Sequence, residues 1–176
     1  SSVTYMTSSF ASGSTIFGND TGDTHTFTGS LFITGSRIDL HDGKNNVSVG
    51  KDAGKAITTG LGNVAIGHEA IKSVNTGTRN VAIGYKAGRD QTNSGYSVII
   101  GYQAAYQLTT DCNANVVIGE SALSAAATAG ISYNIVIGRE AGAAINNAAA
   151  DNNVIVGNAA GGGGTGAMKE CVVLGS

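Results

Sequence analysis

The side chains able to do chemistry in this chain are few, and they stand apart. Its three histidines, His25, His41 and His68, fall in unrelated contexts. The run Asp39-Leu40-His41-Asp42 holds metal-ligating types, but it reads more simply as a polar turn, as does Asp20-Thr21-Gly22-Asp23. Cys112 and Cys171 are the only cysteines; their spacing fits no zinc pattern, and nothing beside them would activate a nucleophile, so both are expected to be free thiols. The run Gly161-Gly162-Gly163-Gly164 lacks the Lys-Ser/Thr of a phosphate-binding loop and reads as a return loop. No catalytic residue, metal site or cofactor follows from these residues, and an enzyme is not expected. One group is suggestive: Tyr85, Tyr102 and nearby Tyr106 can form an aromatic strip for stacking on sugar rings, or can simply cover a surface.

The elements that position these residues are written in a repeat. Asn46-Val47-Ser48-Val49-Gly50 returns as Asn63-Val64-Ala65-Ile66-Gly67 and Asn80-Val81-Ala82-Ile83-Gly84. Five further copies end at Gly101, Gly119, Gly138, Gly157 and Gly175, with the closing glycines 17, 17, 17, 18, 19, 19 and 18 residues apart. A short fixed period predicts a solenoid, in which each coil buries its apolar side against its neighbours. The fold class is therefore all-β: a β-solenoid of about eight coils over 45–176. Residues 1–44 differ, being rich in Ser, Thr and Gly with short alternating runs, and read as a β-strand neck or connector.

Composition narrows the partners. Charged residues are only 12% of the chain and the formal net charge is −2, so the basic footprint of a nucleic-acid binder is missing. The longest apolar run is far short of the roughly 20 residues of a membrane helix, and no membrane insertion is expected.

Stacked coils are best read as columns of equivalent residues, about 4.7–4.9 Å apart. The third residue after each glycine is Ala in seven coils (Ala53, Ala70, Ala87, Ala104, Ala122, Ala141, Ala160), which implies a tight internal contact. The turn glycine implies positive φ or close backbone approach. The Asn column should bond neighbouring coils and cap turn backbone groups. Glu69 should lie near Lys86, and Glu120 near Arg139. About seven residues separate each glycine from the next loop, too few for a stable helix, and a second extended segment is favoured there.

The strand has its own pattern. In Val64-Ala65-Ile66 the outer two residues should face one way, into the core, and the middle one the other way. The middle column becomes fully apolar at Ile99, Val117, Val136, Ile155 and Val173. A strand apolar on both faces is buried on both. These five residues are therefore the expected interface of a homotrimer whose three columns share an axis.

Gly62-Asn63-Val64-Ala65-Ile66-Gly67 and Arg79-Asn80-Val81-Ala82-Ile83-Gly84-Tyr85-Lys86-Ala87-Gly88 resemble two related groups. One is the repeat region of bacteriophage tail fibres and tail spikes; the other is the YadA-like head of trimeric autotransporter adhesins. The likeness covers about residues 45–176, and the long period with Ala-Gly after the turn is more similar to the phage version. It implies a left-handed, trimeric β-roll in an elongated virion fibre. Such a segment would meet other tail proteins on its N-terminal side and attach to a bacterial surface glycan or protein. The alternative is an adhesin head on a bacterial cell surface that binds host matrix. An acyltransferase on a left-handed β-helix would need an apolar residue every six positions, which this chain does not supply.

Overall fold

A computed structural model describes residue 28 and residues 43–109, 111–124, 130–147, 150–162 and 168–175. The expected neck over 1–44, with His25 and His41 and both acidic clusters, lies outside the described residues apart from Thr28, Gly43 and Lys44.

Each copy of the repeated phrase forms one three-residue strand. These are β1 (Val47–Val49), β2 (Val64–Ile66), β3 (Val81–Ile83), β4 (Val98–Ile100), β5 (Val116–Ile118), β6 (Ile135–Ile137), β7 (Val154–Val156) and β8 (Val172–Leu174). They form a single eight-stranded sheet in chain order. Every pairing is parallel and in register, so Val64 faces Val81 and Ala65 faces Ala82. Consecutive parallel strands with no crossover leave one architecture, an all-β solenoid of about six turns, with no helix among the described residues.

The turn glycine explains the regularity. It sits at φ between +125° and +139° in the seven coils from Gly50 to Gly157. A Cβ on Gly84 would stand 2.4 Å from the carbonyl oxygen of Gly101, and one on Gly119 2.3 Å from that of Gly138. Both reasons for glycine therefore apply at once: the backbone angle and the coil above.

The segment after each glycine is not the extended one expected from the sequence. It is a chain of turns. Positive φ recurs at its second and fourth residues, as at Asp52 and Gly54 (58° and 60°) or Lys86 and Gly88 (57° and 58°). A left-handed residue at every other position cannot lie in a strand. The alternation still satisfies the backbone. Ala53 N–H donates back to Gly50 O within its coil, while Gly54 N–H donates to Ala70 O and Gly88 N–H to Ala104 O, each 2.9 Å away in the next coil. Ala-Gly pairs such as Ala87-Gly88 and Ala141-Gly142 hold the second left-handed place without a Cβ penalty.

The core runs up the inside of the coils. The Ala column is buried throughout, as the absence of any larger residue implied. Beside it lies the Asn ladder. Asn63 donates from Nδ2 to Asn46 Oδ1 (3.1 Å) and to Gly77 O (2.9 Å). Asn46 Oδ1 also accepts the Asn63 backbone N–H at 2.9 Å. Asn80, Asn134 and Asn153 repeat the pattern. Each Asn thus links two coils and caps a return loop, as the sequence predicted. Ser97 takes one place, its Oγ accepting the Asn115 N–H at 3.2 Å.

The two faces of the strand are the reverse of those expected. Ile99, Val117, Val136 and Ile155 are wholly buried inside the single chain, and Val173 packs against the same core. The first four have no surface left to offer a second chain, and Val173 is partly buried. The cause lies in the turn segment: the buried Ala column faces the middle residue of the strand, so that residue fills the coil. Its neighbours point out. Val49, Ile66, Ile83 and Ile135 are between 36% and 47% exposed, and Val172 and Leu174 about 70%.

Candidate functional site

Three surfaces of the solenoid carry side chains that can meet a ligand or a partner. The first is the tyrosine strip at the residue after the turn glycine. His68, Tyr85 and Tyr102 occupy successive coils and stack, with centroids 5.2 and 5.1 Å apart and planes within 10° of parallel. This is coil spacing expressed through rings. Stacking takes both faces of Tyr85, so the strip presents edges and hydroxyls outward rather than open faces.

Tyr106 belongs to a different column and is tied in by cations. Lys86 Nζ lies 4.9 Å from the Tyr85 ring centre and 5.7 Å from that of Tyr106. Arg89 Nη1 donates to Tyr106 Oη at 2.6 Å. The structure thus brings Tyr85 and Tyr102 into one stack and joins Tyr106 to it through Lys86.

Charge surrounds this strip. Glu69 accepts from Lys72 (2.5 Å) and lies 3.3 Å from Arg89 Nε and 4.0 Å from Lys86 Nζ. The bond from Lys72 holds the Glu69 carboxyl below its ordinary range, and that from Lys55 does the same for Asp52. The Lys86 ammonium is raised, first by its bond to Tyr85. The predicted Glu69–Lys86 and Glu120–Arg139 pairs both form, the latter at 3.7 Å. Exposed pairs of this kind contribute about 0–1 kcal/mol each.

The second surface is the outward side of the sheet. The first and third residue of all eight strands are Val, Ile or Leu, from Val47 to Leu174, with no polar interruption. A continuous apolar strip of this length is a feature of interaction surfaces.

The third surface escaped the sequence reading. The residue before each Asn forms a column of its own: Asn45, Gly62, Arg79, Tyr96, Ala114, Tyr133, Asn152 and Glu170, all with φ between 52° and 68°. The backbone N–H of Tyr96 donates to Thr78 O, that of Ala114 to Gly95 O and that of Tyr133 to Asn113 O, which fixes the column's register. Tyr96 and Tyr133 are 60% and 63% exposed. Arg79 lies under Tyr96, its guanidinium 5.3 Å from the ring centre and Nη1 2.7 Å from the hydroxyl. Each of these residues stands one place before the Asn position of its copy (Ser97 in the fourth, Cys171 in the eighth), so the column is legible in the sequence.

Neither cysteine forms a disulfide; Cys112 is buried, which pushes its thiol up, and Cys171 is half-buried. Among the described residues no group of three or more His, Cys, Asp or Glu is placed to hold a metal ion. No helix among them is long and apolar enough to cross a membrane. Comparison with protein-family models, curated proteins and solved structures returns no match to this chain.

Proposed function

We propose that this chain is a structural, receptor-binding segment of a virion fibre or spike. Three copies associate side by side, and the fibre attaches a phage to a glycan or protein of the bacterial surface, with other tail proteins on the N-terminal side of the segment. The eightfold Asn-Val-x-Ile-Gly phrase, similar to phage fibre repeats, supports the setting. The observation that carries the reading is the unbroken aliphatic face from β1 to β8. In an isolated coil stack every coil leaves part of this face open to water, and association of copies through it removes that cost. The in-register stack suits this role, since every coil presents the same face at the same height.

Which strand face a substitution falls on decides what it tests. Asp at Ile99, Val117 and Val136 would place charges inside the coil and unfold each chain, whatever the assembly. The informative variant is Ile83→Asp, Ile100→Asp and Ile118→Asp together, on the outward side. Light scattering should give a trimer mass for the native chain and a monomer mass, with an unchanged far-ultraviolet circular dichroism spectrum, for the variant. A native monomer, or a variant of native mass, would refute the association. Labelled native chain should decorate cells of a susceptible bacterium; failure across a broad strain panel would count against attachment.

A further inference from the structure

We infer that Tyr96 and Tyr133, with Ala114 between them, form a slot that takes one neutral pyranose ring of a glycan. The inference deepens the attachment reading and rests on it for the source of the glycan.

Consider what the column would be with an aromatic residue at Ala114. Successive rings in the neighbouring ladder stand 5.1–5.2 Å apart. Tyr96 and Tyr133 are two coils apart, separated by about 10 Å at the usual strand spacing. They share one backbone conformation, φ 60° at both, so their Cα–Cβ bonds leave the column in the same direction. Between them Ala114, at φ 54°, contributes only a methyl group. The ladder is therefore missing one ring. A guest ring midway would sit about 5 Å from each tyrosine, within the 4.5–7 Å of stacked pairs.

The chemistry of the guest follows from the walls. Arg79 already occupies the Tyr96 face on the side away from the slot, leaving the other face toward Ala114. That face is electron-rich and meets polarised C–H groups well, which is what a pyranose offers. Its ring hydroxyls would reach outward, past the two exposed tyrosine hydroxyls. The loops carrying the slot also hold the carboxylates of Asp111 and Asp151, the latter accepting the Ser132 N–H at 2.7 Å. Acidic sugars are thus disfavoured and neutral or N-acetylated ones favoured. The tyrosine strip at Tyr85 and Tyr102 offers no such gap, because its rings fill each other's faces.

The decisive variant is Ala114→Tyr, which completes the ladder and closes the slot. It should fold, since Tyr already stands at this backbone conformation one coil below and one coil above. Saturation-transfer NMR of the native chain with methyl β-D-glucopyranoside, methyl β-D-galactopyranoside and N-acetylglucosamine should show contact for at least one of them. The signal should fall at least fivefold in Ala114→Tyr and in Tyr133→Ala, and persist in Tyr102→Ala. An undiminished signal in Ala114→Tyr, equal loss in Tyr102→Ala, no signal from any pyranoside, or tighter binding of adenosine at the same residues would each overturn the inference. Cell decoration separates the two claims. Decoration that survives in a chain with no pyranoside signal refutes the slot alone, and a slot that binds sugar in a chain decorating no bacterium refutes the attachment reading alone.

Discussion

Gln91 offers a measurement of how the coil interior is held. It is seven residues after Gly84, where other coils place Ile57, Val74, Leu108 and Ile145. The side chain is fully buried, and neither Nε2 nor Oε1 has a hydrogen-bond partner in the protein. A buried polar atom left unpaired costs about 1–3 kcal/mol. Two such atoms on one amide, with some relief from rotation, put the gain from Gln91→Leu at about 2 kcal/mol. Leu has nearly the volume of Gln and already occupies this place in the next coil, at Leu108, so overpacking adds little. Guanidinium unfolding followed by circular dichroism should show a higher midpoint with an unchanged slope. Gln91→Ala is the control, since it removes the same polar atoms but leaves a cavity, and should gain less or lose stability. An unchanged or lower midpoint for Gln91→Leu would mean that the amide is satisfied within the coil, and the reasoning would fail.

Three further outcomes follow from the same geometry. Gly84→Ala should destabilise the chain by about 3 kcal/mol or more, because φ 133° and a Cβ 2.4 Å from the Gly101 carbonyl oxygen leave no room to adjust; thermal unfolding reads this directly. A thiol reagent should titrate one cysteine in the native chain, the half-buried Cys171, and two after denaturation, since Cys112 is buried and its thiol is raised. Acid should weaken the coils around Glu69 and Asp52. Their folded pKa values lie below the ordinary 4.5 and 3.8, so the contribution is complete above those values and is lost as pH falls through the lower folded ones. Melting temperature should drop less steeply below pH 4.5 in Glu69→Gln than in the native chain, and parallel curves would contradict the assignment.

Much of the fold was legible because the solenoid repeats each constraint. One Asn means little, but Asn46, Asn63 and Asn80 at a single spacing can hardly be anything other than a ladder, and Oδ1 of each does accept from the next. The Ala and Gly columns were readable for the same reason. The turn segment was not. Lys51-Asp52-Ala53-Gly54-Lys55-Ala56 carries no period-2 pattern, and its alternation of left- and right-handed residues is signalled only by glycine at the fourth place, which Ile71, Ala105 and Leu123 break. Tyr96 and Tyr133 were missed because they flank the motif instead of belonging to it.

The reversal of the strand faces has a physical source worth following through. Alternation along Val81-Ala82-Ile83 says only that the outer pair and the middle residue face opposite ways. Side-chain size favours the wrong answer, because the larger pair was assigned to the core. The deciding quantity is the width of the coil. Its far wall is a chain of tight turns carrying Ala87, with Gly88 so close that a Cβ there would meet Ile99 Cδ1 at 2.9 Å. Ala65 and Ala82 fill that place in two coils, and from β4 onward Ile99 and Val117 fill it, all four fully buried. An interior this narrow takes one strand residue per coil, so the first and third apolar positions must go outside. The outward aliphatic face is therefore a consequence of a thin coil, and a chain with so thin a coil leaves half its strand apolar surface for another copy to cover.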